Sequence, residues 1–94
     1  MLIKLEVLEA IKRGEIDLQF RRWTRASVRP GGTLKTKVGL MKIGRIDEIS
    51  PDAVTEADAR RAGFKDVADF QRWLKTMKEG PLFHRIEIGY VGDP

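Results

Sequence analysis

The sequence predicts an α+β fold in which a small, bent, mostly antiparallel sheet is flanked by helices. Segments of alternating apolar and polar residues dominate the middle of the chain, and segments of helical spacing interrupt them without a regular strand–helix–strand alternation. With 94 residues, 41% of them hydrophobic, the chain is long enough for one core and too short for two. We therefore expect a single domain over residues 1–94.

The chain begins with a predicted amphipathic helix over residues 4–13. Leu5, Leu8 and Ile11 fall at helical spacing, and Gly14 follows as a residue that commonly ends a helix in the left-handed conformation. This helix therefore presents one apolar face to the sheet.

The first predicted strand follows the helix at once. Ile16, Leu18 and Phe20 alternate with polar residues, which is the pattern of a half-buried strand, and we expect the strand to end near Trp23. Pro30-Gly31-Gly32 then predicts a turn, because proline presets one backbone angle and glycine accepts positive φ.

The stretch TLKTKVGLMKIGRIDEI predicts strands near residues 33–38 and 40–49. Its alternation changes phase around Gly39, and a glycine at such a point indicates a bulge or a sharp bend. A bent strand of this kind favours a sheet that curls into a barrel.

Two helices and a closing strand are predicted in the last third. Thr55 is a good helix cap and Gly63 ends that helix, while Asp66 caps the next one, which we expect to run to Gly80-Pro81. The second of these helices carries an apolar stripe that we assign to the core, formed by Phe70, Trp73, Leu74 and Met77. Residues 82–90 alternate as a final strand.

Positive charge is concentrated in one part of the chain. Between Leu18 and Ile46 there are eight bases and no acid, whereas the rest of the chain has a net charge of −4. Charge distributed in this way attracts a polyanion, of which a phosphate backbone is the commonest in a cytoplasm.

Several classes of function are not supported by the composition. There is no cysteine and there is one histidine, so we expect no disulfide, no thiol nucleophile, no metal site and no cofactor. No apolar run is long enough to span a bilayer, and charged residues interrupt the amino-terminal apolar pattern, so we expect a cytoplasmic protein with no membrane partner.

The chain resembles the ASCH domain family of the PUA-like superfamily, whose members are small β-barrels with flanking helices. The family motif G-x-K-x-x-E-x-R is matched by GEIDLQFR at Gly14 and Arg21, while Ile16 and Gln19 stand at its lysine and glutamate positions. Further likeness lies in RPGGTLKT, in VTEADARRAGF and in the closing LFHRIEIGY. The resemblance implies a PUA-like barrel over nearly the whole chain.

The resemblance also implies a connection with RNA. Some members of the family are regarded as RNA-binding regulators of translation, and others are hydrolases, among them a branch that deacetylates acetylated cytidine with a lysine, a threonine and a glutamate. On that branch's pattern the lysine and threonine positions are Ile16 and Gln19, and the glutamate position corresponds to Glu56. An amide cannot replace a hydroxyl nucleophile, so the deacetylase mechanism is not supported.

The leading hypothesis is therefore RNA or nucleotide binding in a basic cleft, without turnover. Strand alternation places Gln19, Arg21 and Trp23 on one surface, where arginine suits phosphate and an exposed tryptophan stacks on a base; Trp23 in the core is the alternative. The candidate nucleic-acid-binding residues are Gln19, Arg21, Arg22, Trp23, Arg25, Arg29, Lys35 and Lys37.

Two other hypotheses stay open. One is a small hydrolase acting on RNA or a modified nucleoside in the same cleft, with Glu56 as the candidate acid or base. The other is a protein-interaction module whose basic face meets an acidic protein. We expect His84 to be a partly buried, hydrogen-bonded histidine and not a catalytic one.

Overall fold

The computed structural model describes residues 1–78 and 80–92 and contains three α-helices and four strands. The helices and strands follow the predicted order along the chain, with one short 3-10 turn at Pro51–Ala53. The elements are α1 (Leu5–Lys12), β1 (Leu18–Trp23), β2 (Thr33–Thr36), β3 (Gly39–Glu48), α2 (Glu56–Arg61), α3 (Val67–Leu74) and β4 (Leu82–Gly92).

The four strands form one antiparallel sheet in the order β1-β4-β3-β2. Pairing between β3 and β4 shifts register at Leu40/Met41, next to the predicted bend at Gly39, and again between Ile43 and Ile46. With these irregularities the sheet curls into a half-barrel that leaves β1 and β2 as its edges. The α+β class and the bent antiparallel sheet are thus confirmed.

The core has two parts, one on each face of the sheet. On the α1 side, Leu8 and Ile11 pack with Met41, Ile43 and Ile86. On the α3 side the buried residues are Leu18, Phe20, Val54, Ala59, Ala62, Phe70, Leu74 and Phe83. The sheet is therefore covered on both faces, and β1 contributes Leu18 and Phe20 to the α3 side.

Both predicted helix caps are formed. The Thr55 hydroxyl accepts a hydrogen bond from the backbone N–H of Asp58 at 3.1 Å, and the Asp66 carboxylate accepts one from Asp69 at 2.8 Å. At the other end of α2, Gly63 takes a φ of 95°, and Phe64 donates its backbone N–H back to Ala59. This Schellman-type ending turns the chain so that the Phe64 ring packs against Phe70 and Trp73 of α3.

The end of α3 differs from the prediction. The helix stops at Leu74 and does not continue to Gly80-Pro81. The Thr76 hydroxyl donates to the carbonyl of Trp73 at 2.6 Å, and Thr76 and Met77 bond to residues three positions back, so the backbone tightens out of the α-helix. Met77 therefore lies beyond the helix, half-buried.

Candidate nucleic-acid interface

A cleft of about 400 Å³ lies along the free edge of β1. One wall is formed by the amino-terminal segment and α1, and the other by the end of α2, the turn after it, and α3 with the residue Met77 beyond it. Its lining consists of Leu2, Ile3, Lys4, Glu6, Val7, Ile16, Gln19, Phe20, Arg21, Ala62, Gly63, Phe64, Trp73 and Met77. We call it the α1–α3 cleft.

Arg21 lines this cleft as a half-buried guanidinium without an acidic partner. It donates to the carbonyl of Phe20 at 2.7 Å and to that of Leu2 at 3.1 Å. No carboxylate of the described residues lies within 4.0 Å of it. Burial lowers the pKa of the Arg21 guanidinium, because desolvation disfavours its charge. An anion in the cleft would compensate that charge.

Gln19 lies beside Arg21 and is 6% exposed. Its side-chain nitrogen donates to the carbonyl of Leu18 at 2.9 Å, which fixes the orientation of the amide. The amide oxygen, a hydrogen-bond acceptor, has no partner among the described residues, and Gln19 lines the cleft. Gln19 and Arg21 thus place an acceptor and a cation on one surface.

The opposite wall of the cleft is aromatic. The rings of Phe64 and Trp73 lie 5.3 Å apart between centroids, and Trp73 is half-buried. The sequence assigned Trp73 to the core together with Phe70, and only Phe70 is fully buried. Helical spacing identifies an apolar stripe but cannot tell its centre from its rim, which explains why Trp73 was missed as a candidate site residue.

Trp23 shares a sheet face with Gln19 and Arg21 but does not line the cleft. It is half-buried against the α1-side core, and its indole N–H donates to Nδ1 of His84 at 2.6 Å. This bond confirms the expected partly buried, hydrogen-bonded histidine. Trp23 is therefore held by the sheet, and the aromatic wall of the cleft comes from Phe64 and Trp73.

The other predicted basic residues lie outside the lining of the cleft. Arg25 and Arg29 are exposed in the loop between β1 and β2, and Arg22 lies on the opposite sheet face, paired in register with Phe83. Lys35 and Lys37 border a separate cavity of about 200 Å³, which shares Leu2 and Ile3 with the α1–α3 cleft. The structure therefore brings Gln19 and Arg21 together in the lining of the α1–α3 cleft, whereas the remaining candidate bases do not line it.

Most of the bases in the acid-free window have no acidic partner. Of the eight, Arg45 is the only one with a carboxylate within 4.0 Å in the described part of the chain, namely Asp47. Outside the window, four of the ten bases are paired with acids among the described residues, namely Arg13, Arg61, Arg72 and Arg85. The positive charge of residues 18–46 is thus largely uncompensated within the protein.

Glu56 lies outside the lining of the cleft. Its carboxylate accepts a hydrogen bond from the backbone N–H of Val67 at 3.2 Å and so stabilises the start of α3. Its role as an acid or base stays a prediction. Within residues 1–78 and 80–92, no three His, Cys, Asp or Glu residues are grouped so as to hold a metal ion, and no helix there could cross a membrane.

Comparison with known proteins does not assign the chain to a family. No protein-family model, no curated protein and no solved structure matches it. The resemblance to the ASCH family accordingly stays a prediction from the motif residues.

Proposed function

We propose that the chain is an RNA- or nucleotide-binding domain of the PUA-like ASCH type, acting in the cytoplasm, and that it holds an unpaired nucleotide in the α1–α3 cleft. The observation that carries the proposal is Arg21, a half-buried guanidinium that has no carboxylate partner among the described residues and lines an open cleft. A phosphate is the anion that best fits the planar fork of an arginine.

The groups around Arg21 suit the rest of a nucleotide. Trp73 and Phe64 offer ring faces or edges for a base, and stacking on an aromatic side chain contributes about 1–3 kcal/mol per base. The amide of Gln19 offers an acceptor for hydrogen bonds with the base edge. A phosphate, a ring and a polar edge would thus each meet a complementary group.

The basic residues outside the cleft complete the proposed interface. Arg25, Arg29, Lys35 and Lys37 are exposed and have no acidic partner among the described residues, so they would attract the flanking phosphates without reading sequence. In this arrangement the exposed basic side chains contribute affinity along the RNA backbone, and the cleft holds one nucleotide.

The direct test is a titration with a fluorescent single-stranded RNA of about ten nucleotides at about 50 mM and about 200 mM salt. We expect binding that weakens with salt and a loss of about tenfold or more in affinity for Arg21→Gln, because a charge-assisted hydrogen bond contributes about 1.5–3 kcal/mol. Arg21→Lys retains the charge without the fork and should give an intermediate loss.

The matched control is Arg45→Gln, which removes the same charge outside the cleft. Arg45 is 74% exposed in its side chain and paired with Asp47, so we expect a change of about twofold or less. A thermal melt of each variant separates loss of binding from loss of fold. No binding of the folded protein at the lower salt would refute the proposal; equal losses for the two variants would place the RNA outside the cleft.

A further inference from the structure

Three cavities adjoin one another along the amino-terminal segment and α1. The α1–α3 cleft shares Leu2 and Ile3 with the cavity of about 200 Å³, which we call the middle cavity. The middle cavity in turn shares Thr36 and Lys37 with a groove of about 660 Å³ between the end of α1 and the turn from β2 to β3. We call this groove the α1–β3 groove. Together the three cavities extend from the free edge of β1 along α1 to the β2–β3 turn.

The α1–β3 groove at the far end of this path is basic. Lys12, Arg13 and Lys37 line it together with one acid, Glu9. Arg13 is paired with Glu15, whereas no carboxylate of residues 1–78 and 80–92 lies within 4.0 Å of Lys12 or Lys37. Two uncompensated cations therefore line the groove.

Lys12 is held in place at the end of α1 and keeps its charge there. Its ammonium lies 5.3 Å from the centroid of the Tyr90 ring, a cation–π contact that leaves the positive charge available. As a base in the last turn of α1, Lys12 also offsets the partial negative charge of that helix end, which would otherwise repel an anion. Lys12 was not a candidate from the sequence, because it lies outside the acid-free window of residues 18–46.

The middle cavity combines apolar surface with positive charge. Its lining includes Leu2, Leu5 and Leu34 as well as Lys35 and Lys37, and both lysines are exposed. Apolar side chains can contact the face of an unpaired base, and the ammonium groups can contact the phosphates beside it. Apolar surface and positive charge thus recur along the path, as bases and phosphates recur along a single strand.

We propose that single-stranded RNA runs from the α1–α3 cleft across the middle cavity into the α1–β3 groove, where Lys12 and Lys37 bind its phosphates. This inference rests on the proposed function, and it adds the course of the strand and a binding residue outside the acid-free window. Arg25 and Arg29 line none of the three cavities, so they attract the strand only at longer range.

The path is tested with two ligands, a single-stranded RNA of about ten nucleotides and adenosine monophosphate, by calorimetric titration at several salt concentrations. We expect Lys12→Gln and Lys37→Gln each to weaken RNA binding about threefold. In the double variant, the slope of log K against log salt concentration should fall by about 1.4, or about 0.7 for each lost phosphate contact with a single strand. Adenosine monophosphate fills only the cleft, so its affinity should be unchanged in these variants and reduced in Arg21→Gln.

Lys42→Gln is the matched control. Lys42 is an exposed lysine of the acid-free window with no acidic partner in the part of the chain that the structure describes. It alternates with Met41 and Ile43 of the α1-side core and therefore lies on the sheet face away from α1. We expect its RNA affinity to change by less than about 1.5-fold. Because all three lysines are exposed, each variant should melt as the wild type does.

The possible failures of the path and of the proposed function are distinguishable. If Lys12→Gln and Lys37→Gln matched Lys42→Gln in RNA affinity and salt slope, the path would be overturned while binding in the cleft stood. Equal losses for RNA and adenosine monophosphate would place the nucleotide in the α1–β3 groove and would also overturn the path. If the wild type bound neither ligand, the proposed function would be refuted, and the path with it.

Discussion

Replacing Phe20 with alanine is expected to lower the free energy of unfolding by about 4 kcal/mol, since burying a phenylalanine and avoiding a cavity are together worth about 3–5 kcal/mol. Phe20 is 1% exposed, and its ring lies 5.1 Å from that of Phe70 and 5.8 Å from that of Phe83. It joins β1 to α3 and β4 and forms part of the floor of the α1–α3 cleft. Urea denaturation measures the loss.

Phe64→Ala is the comparison for Phe20→Ala. Phe64 is half-buried at the wall of the cleft and contacts Phe70 and Trp73. We therefore expect Phe64→Ala to lower the free energy of unfolding by about 2 kcal/mol. The informative result is which of the two substitutions lowers the free energy of unfolding more. If Phe64→Ala cost as much as Phe20→Ala, the aromatic wall would belong to the core and would be unavailable to a ligand.

The second large effect is expected at Arg85, where Arg85→Gln should lower the free energy of unfolding by about 2 kcal/mol. The guanidinium lies within 4.0 Å of three carboxylates, those of Asp58, Glu87 and Asp47, and donates to Asp58 at 2.7 Å and 3.3 Å. Side-chain exposure is 17% for Arg85 and 20% for Asp58, so removing the cation leaves clustered negative charge that water screens only in part. The exposed pair at Arg45 is the control, with a cost below about 1 kcal/mol for Arg45→Gln.

The same ion pair sets a dependence of stability on pH. The Arg85 hydrogen bond is the main cause that lowers the pKa of Asp58 in the folded protein, and burial opposes it without reversing the direction. A lowered pKa means that the stabilisation is complete above the ordinary carboxyl range and is lost as the pH falls below about 4. Urea denaturation between about pH 5 and pH 2 should show a steeper loss for the wild type than for Arg85→Gln; parallel curves would contradict the assigned role of the pair.

Local sequence signals predicted the elements well where one physical cause dominates. Thr55 and Asp66 were recognised as caps because their oxygens satisfy backbone N–H groups that any helix start leaves open. The bend near Gly39 was recognised from a change of phase in the alternation. The early end of α3 was not recognised. The Thr76 hydroxyl donates to the Trp73 carbonyl, and nothing in the sequence distinguishes it from any other exposed threonine.

The candidate site was predicted only in part, for a different reason. Strand alternation correctly placed Gln19, Arg21 and Trp23 on one face, but it does not say which elements meet at the free edge of β1 to form the cleft. The aromatic wall is formed by α3 and the turn before it, which lie more than forty residues after β1 in the sequence. The indole N–H of Trp23 is hydrogen-bonded to His84 of β4, near the other end of the chain. Both facts depend on tertiary packing, which the spacing of residues within one segment does not encode.

The proposed binding of an unpaired nucleotide in the α1–α3 cleft is tested by a ¹H–¹⁵N chemical-shift map recorded during titration with a short single-stranded RNA. We expect the largest chemical-shift changes on the side-chain amide of Gln19, the guanidinium N–H of Arg21 and the indole N–H of Trp73. Changes confined to Arg25, Arg29, Lys35 and Lys37, with the three cleft signals unmoved, would contradict it.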